Sequence, residues 1–383
     1  MRLLRDWMGF HFSSTQPVAG QTRERIEAAV AWIMNAQRAS PDDGVPVGYF
    51  PCNENVTAGW MPSYPETTGY IIQSLVEYAG SYAQPEALQR AREMAHWEVQ
   101  VQMDSGAVQG GPVCEPAEQR AAIFNTGMVL QGWTALLAVE DDDDVLRAAG
   151  RAADFLAADQ APDGHFRSHG PFVTASIIKT YNCLCAWALH RYGDLVGEAR
   201  YTAAAVRAAE AALREQSPNG WFANNCLTHP LVPLTHTIGY TLQGLLETGL
   251  LAGRDDIVAG ARHGAEALLA QVEPNGRLAG RFDAQWQPAV RSVCLTGSAQ
   301  VAIVAYRLYE QTGEAHYREH GNRLVDYLKA TQDIRCSEPG IRGALAGSFP
   351  LTGEYMTWGY PNWATKYLLD ALMLQDRLNG GPS

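Results

Sequence analysis

No apolar stretch in this 383-residue chain reaches the roughly 18 residues a membrane helix needs, so no spanning segment is expected. Positive charge is also short. Lys and Arg number 29 against 41 Asp and Glu, a net charge of −12, which argues against non-specific binding to nucleic acid or an anionic membrane. Neither a glycine-rich phosphate loop nor a dinucleotide fingerprint is found, and no cofactor is expected. Cysteine is sparse and odd in number, at seven, with no Cys-X-X-Cys spacing. The cysteines read as free thiols in a reducing compartment, with neither a disulfide framework nor a metal site expected. At the amino terminus Arg2 and Arg5 are followed at once by Asp6, which leaves no apolar core for a signal peptide. A cytoplasmic protein is the expectation.

What the chain does have is a repeat. Six glutamines close helix-like stretches and are followed by a glycine and an aromatic or apolar residue: Gln37, Gln102, Gln160, Gln216, Gln271 and Gln332. Their spacing is about 55 to 65 residues, near the range of repeat architectures. Each closes an amphipathic, alanine-rich segment such as 147–159 or 257–270. Between these lie six segments apolar on most sides, at roughly 66–82, 122–139, 173–192, 235–252, 294–312 and 360–378. Four of them open alike, at Thr68-Gly69, Thr126-Gly127, Thr237-Ile-Gly239 and Thr296-Gly297. A threonine at the helix start and a small residue for close packing account for that pattern. Six wet helices alternating with six buried ones predict an all-α, (α/α)6 toroid of six helical hairpins. An N-terminal arm over 1–20 would precede one toroid domain over 21–379.

The two faces of such a ring differ. Turns from inner to outer helix are short, whereas connections from outer to inner helix are long, as from Gln37 to Glu66 and Gln332 to Tyr360. Long ordered loops are usually functional, so the site is expected at the amino-terminal ends of the inner helices. The run Asp141–Asp144 matches the acid motif of class II terpene cyclases, but it falls in a short turn on the opposite face and reads as a solvated charge run.

The repeat resembles the (α/α)6 toroid superfamily, which includes unsaturated glucuronyl hydrolases, N-acylglucosamine epimerases, glucuronyl C5-epimerases, toroid polysaccharide lyases and squalene–hopene-type cyclases. More narrowly, Tyr64-Pro-Glu-Thr-Thr-Gly-Tyr70, Pro233-Leu-Thr-His-Thr-Ile-Gly-Tyr240, Cys294-Leu-Thr-Gly297 and Tyr360-Pro-Asn-Trp363 look like a group of bacterial toroid proteins from exopolysaccharide gene clusters. The resemblance implies a carbohydrate-active enzyme with a carbohydrate substrate, of uronic-acid-containing type. No carboxylate pair aligns with that of the hydrolases, and the cyclase acid is missing from the expected face.

The residues leave two chemistries open. Hydrolysis would use Glu66 and Asp283 as a carboxylate pair. Proton abstraction, as in a lyase or epimerase, would use His236 or Tyr64 as base, with Asn225 and Arg281 neutralising a substrate carboxylate. Trp60, Trp221 and Trp358, with Tyr360, are expected to stack on sugar rings, and Arg281, Arg291 and Arg342 to form a local basic cluster. A terpenoid-cyclase-like toroid and a non-catalytic glycan- or protein-binding toroid are the alternatives.

Overall fold

The computed structural model describes residues 16–52, 59–166, 178–226 and 228–382. Outer helices α1 (Thr22–Ala39), α3 (Pro85–Val101), α5 (Asp143–Asp159), α7 (Ala199–Arg214), α9 (Asp255–Leu269) and α11 (Ala315–Thr331) alternate along the chain with inner helices. The inner ones are α2 (Pro65–Tyr82), α4 (Ile123–Leu137), α6 (Leu184–Val196), α8 (Thr235–Ala252), α10 (Leu295–Thr312) and α12 (Asn362–Leu378). Each inner helix packs on the next, and α12 returns to α2, which closes the ring.

Burial separates the two rings as the pattern requires. In α8 every residue from Thr235 through Gly249 is buried. In α7 burial is confined to Tyr201 and an alanine stripe, Ala204, Ala205, Ala208, Ala209, Ala211 and Ala212. The glycines of the inner helices set their spacing. A Cβ added to Gly69 would stand 2.5 Å from the Val129 Cα, so α2 and α4 touch backbone to backbone there. The recurring threonines tie loops to helices: Thr68, Thr126 and Thr365 accept bonds of 2.9 Å from the backbone N–H of Val45, Val108 and Leu345.

Four of the repeated glutamines, Gln102, Gln160, Gln216 and Gln332, clamp neighbouring outer helices, whereas the Gln37 amide donates to Asp43 O in its own loop at 3.0 Å. The Gln160 amide donates to Gly164 O at 3.0 Å and to Ala204 O in α7 at 2.8 Å. Gln102 and Gln216 do the same to Ala148 in α5 and Gly260 in α9. Gln332 completes the circle, donating to Gly343 O at 2.8 Å and back to Arg25 O of α1 at 3.3 Å. An arginine of the next helix covers the glutamine oxygen, as Arg207 does for Gln160 at 2.7 Å and Arg25 for Gln332 at 3.3 Å. The glycine is required because it lies on that helix at positive φ. At Gly164, φ is +88° and a Cβ would meet Arg207 O at 2.6 Å.

The third inner segment departs from the expected 173–192. Part of it lies outside the described residues; beyond that, Thr180–Cys183 is a 3₁₀ turn and the α-helix runs from Leu184 to Val196. The fourth long loop holds the start out of the α-helix: Thr180 N–H donates to Asn224 O at 3.1 Å and its hydroxyl to Ala223 O at 2.6 Å. At the far end Gly193 is tolerated, and Gly197, at φ 70°, stops the helix.

The long connections gather on one rim and are stitched together. Strand β1 (Gly48–Tyr49) pairs with β4 (Tyr360–Pro361), Tyr49 opposite Tyr360, which joins the first loop to the sixth. Strand β2 (Val293–Cys294) pairs with β3 (Ser348–Phe349), joining the fifth to the sixth. On the opposite face Asp142 caps α5, accepting from Asp144 and Val145 N–H at 3.1 and 3.0 Å. The acidic run is thus a helix start.

Candidate active site

Inside the ring, polar groups stand in layers along the inner helices. The first turns of α2, α8 and α12, just below the rim, carry Glu66, His236 and Trp363. One turn further down each of the same helices stand Tyr70, Tyr240 and Tyr367, all buried. Tyr181 enters from the 3₁₀ turn and Tyr355 from the sixth loop. The rings are close: His236 to Tyr240 is 4.3 Å, His236 to Tyr355 is 5.3 Å and Tyr240 to Tyr367 is 6.0 Å between centroids. The lower lumen is filled by hydrogen bonds and ion pairs, with Gln131 on Gln73 at 2.6 Å, Arg307 on Glu247 at 2.7 and 3.0 Å, and Lys366 on Asp370 at 2.6 Å. The chamber therefore belongs to the long-loop face.

Glu66 sits in the first turn of α2, where Pro65 presets the backbone. Its carboxylate accepts a 2.7 Å bond from the Tyr64 hydroxyl. Desolvation dominates all the same: the carboxyl is pushed from 4.5 up to about 7, with the Tyr64 bond pulling weakly the other way. Its charge reaches Tyr70, Tyr181, Tyr240, Tyr355 and Tyr367, each of which burial holds above the usual phenol value. Burial and the neighbouring Glu66 push the Tyr64 hydroxyl well above 10, and it donates to that carboxylate.

His236 is the second titratable group of the chamber. Burial lowers its imidazole to about 4, against a smaller opposing effect of Gln300, so the ring is neutral at neutral pH. Gln300 Oε1 lies 2.7 Å from Nδ1. With that oxygen accepting, Nδ1 carries the proton and Nε2 keeps its lone pair. A carboxyl raised to about 7 and an imidazole lowered to about 4 thus face one set of tyrosines, a combination suited to moving protons.

Other expected site residues are placed differently. Asp283 is partly exposed, and its Oδ1 accepts from the N–H groups of Gln285 and Gln287 at 2.9 and 2.8 Å; it holds a turn together. Arg281 is buried and paired with Glu354 at 2.9 Å, whereas Arg291 and Arg342 are exposed. The expected basic cluster is therefore not assembled. Asn225 is buried behind α8, its Oδ1 accepting from Thr241 at 2.8 Å. Trp60 packs on Trp32 and Tyr49 at 5.5 and 5.1 Å, while Trp221 is buried in the turn after α7. Tyr360 is committed to β4, and partly buried Trp358 holds the sixth-loop turn through its N–H to Leu351 O at 2.9 Å. These aromatics seal the rim.

Tyr70, Tyr181, Tyr240 and Tyr367 were not singled out as site residues in the sequence. Tyr70 and Tyr240 each follow a repeat glycine, and Gln300 lies four residues after Thr296. Helical spacing from Glu66 and His236 marks Tyr70 and Tyr240 as their neighbours.

Comparison with solved structures gives the architecture. An unsaturated glucuronyl hydrolase from Bacillus sp. GL1 superposes with a TM-score of 0.72 at 18% identity, covering 94% of this chain and 98% of that one. A cellobiose 2-epimerase from Bacillus thermoamylovorans B4167 gives 0.73 at 10% identity, over 92% and 98%. A polysaccharide lyase gives 0.67 at 12%, over 95% and 99%. This chain is an (α/α)6 toroid. No family model matches the toroid's sequence, and neither does any curated protein. Identities this low carry the fold alone. No helix of the toroid is long and apolar enough to cross a membrane among the described residues.

Proposed function

We propose that this toroid is a carbohydrate-active enzyme whose reaction is a proton transfer in the chamber between Glu66 and His236. Protonated Glu66 donates to a substrate oxygen, and Nε2 of neutral His236 takes a proton from the substrate, the chemistry of an epimerase or lyase. The observation that carries this reading is the opposed perturbation of the two groups within one ring of tyrosines. Tyr64 keeps the Glu66 carboxyl aimed, and Gln300 fixes the imidazole tautomer. The tyrosine faces and hydroxyls suit a sugar ring, which is apolar on its faces and polar at its edge. The solved toroids that superpose on this chain include a hydrolase as well as an epimerase and a lyase, which supports carbohydrate chemistry, and the choice among the three rests on the chamber. Two-carboxylate hydrolysis fits less well, because Asp283 Oδ1 is occupied by its own turn.

The test is a panel of neutral and acidic mono- and oligosaccharides incubated in D2O and followed by NMR. Deuterium entering a C–H position, or an unsaturated product, with loss of both in Glu66→Gln and His236→Gln, supports the reading. Turnover that survives both substitutions overturns it.

A further inference from the structure

The third feature of the mouth is an arginine with a replaceable partner. The Arg281 side chain is 9% exposed and fixed from within, its Nη1 donating to Val232 O at 2.9 Å and lying 4.0 Å from Cys226 Sγ. Its Nε donates to Glu354 at 2.9 Å, and that carboxylate is 50% exposed. A narrow cleft lined by Arg281, Glu354, Ser292, Cys294, Ser348 and Tyr355 opens at this pair. Tyr355 is also the wall of the chamber, its ring 5.3 Å from His236. Among the described residues, Arg281 is the only cationic one in that lining.

The turn that brings Glu354 here is conformationally loaded. Met356 and Trp358, just after it, have φ of 51° and 60° without being glycine, a disfavoured state that persists where the surroundings enforce it. Ser348 braces Tyr355 on both sides, its Oγ donating to Tyr355 O at 2.7 Å and receiving Tyr355 N–H at 3.1 Å. Glu354 itself has one side-chain bond described, that to Arg281. The buried partner is therefore the fixed one and the exposed partner the free one.

We infer that Arg281 is the carboxylate-binding residue of this mouth, that Glu354 holds the place a substrate carboxylate would take, and that the substrate is a sugar acid. This rests on the reading of the chamber as a saccharide site. A guanidinium matches a carboxylate through parallel N–H donors, and the arriving group exchanges with Glu354 without exposing the arginine. Neutral sugars lack the group that makes the exchange and gain nothing from it.

The experiment is calorimetric titration of D-glucuronate and D-glucose into the full chain, in a Glu66→Gln background so that binding is read without turnover. The probes are the two sugars themselves. Removing the internal competitor by Glu354→Gln is expected to tighten glucuronate about tenfold and leave glucose unchanged. Adding Arg281→Gln is expected to abolish that gain; because Glu354 is half exposed, Glu354→Gln alone tests the exchange if the arginine variant fails to fold. Unchanged or weaker glucuronate binding in Glu354→Gln, or an equal gain for glucose, overturns the inference. If glucuronate responds as expected while turnover is indifferent to Glu66, the proton-transfer reading fails and the anion site stands.

Discussion

Replacing Glu66 by Gln should make the protein more stable and less active, and the stability gain should depend on pH. The carboxyl stands at about 7 in the fold against 4.5 for the free group. At 1.36 kcal/mol per unit, ionised Glu66 costs the folded chain about 3 kcal/mol. The native pKa lies above the unfolded one, so the native state holds more protons between these values. Stability is therefore full below about pH 4.5, falls as pH rises through about 7, and is flat above it. Gln keeps an oxygen for the Tyr64 hydroxyl but has no charge to bury. Urea unfolding of the native chain and Glu66→Gln at pH 5 and pH 8.5 measures the difference. The two should lie close together at pH 5, with the variant ahead by about 3 kcal/mol at pH 8.5. An equal gap at both pH values, or a less stable variant at pH 8.5, would refute the desolvated-carboxyl account.

Three further outcomes follow from the same geometry. The rate on an accepted saccharide should be bell-shaped in pH, with kcat/KM rising through about 4 as His236 deprotonates and falling through about 7 as Glu66 does; a rate still climbing above pH 8 would reverse the assigned roles. Gln332→Ala should cost about 2 to 4 kcal/mol in urea unfolding, because it strips two carbonyls at the ring closure of a buried donor, and Gln160→Ala at its half-buried site should cost less. Glu98 is fully buried with neither oxygen bonded, and burial, with Asp42 nearby, holds its carboxyl well above the usual range. Glu98→Met should therefore raise Tm, more at pH 8.5 than at pH 5, and a lower Tm at both would count against that reading.

How much of this was legible beforehand depends on the range of the interaction. Helix periodicity and turn chemistry are local, so the alternation of outer and inner helices and the placement of Asp141–Asp144 away from the long loops could be read directly, whereas the late start of the third inner helix at Leu184, held by the fourth loop, could not. Glu66 and His236 stood out because each lies at the start of an inner helix. Closure of the ring through Gln332 onto Arg25 joins residues 307 positions apart, and no local pattern encodes that pairing. The same limit explains the arginines. Arg281, Arg291 and Arg342 share loops, but only Arg281 is folded inward, onto Glu354 of another loop. Aromatic counts misled for a different reason. Trp60 and Trp221 fill gaps between helices, while the chamber wall is made by tyrosines spaced one helical turn below the titratable groups.

The most direct test of the central claim is the ratio of kcat between Glu66→Gln and Asp283→Asn on one saccharide that the native chain turns over. A chamber built on Glu66 and His236 predicts a loss of about 10² to 10⁴ for Glu66→Gln and a rate within about twofold of native for Asp283→Asn, whose carboxylate serves its own turn. Retained activity in Glu66→Gln, with a collapse in Asp283→Asn, would contradict the account.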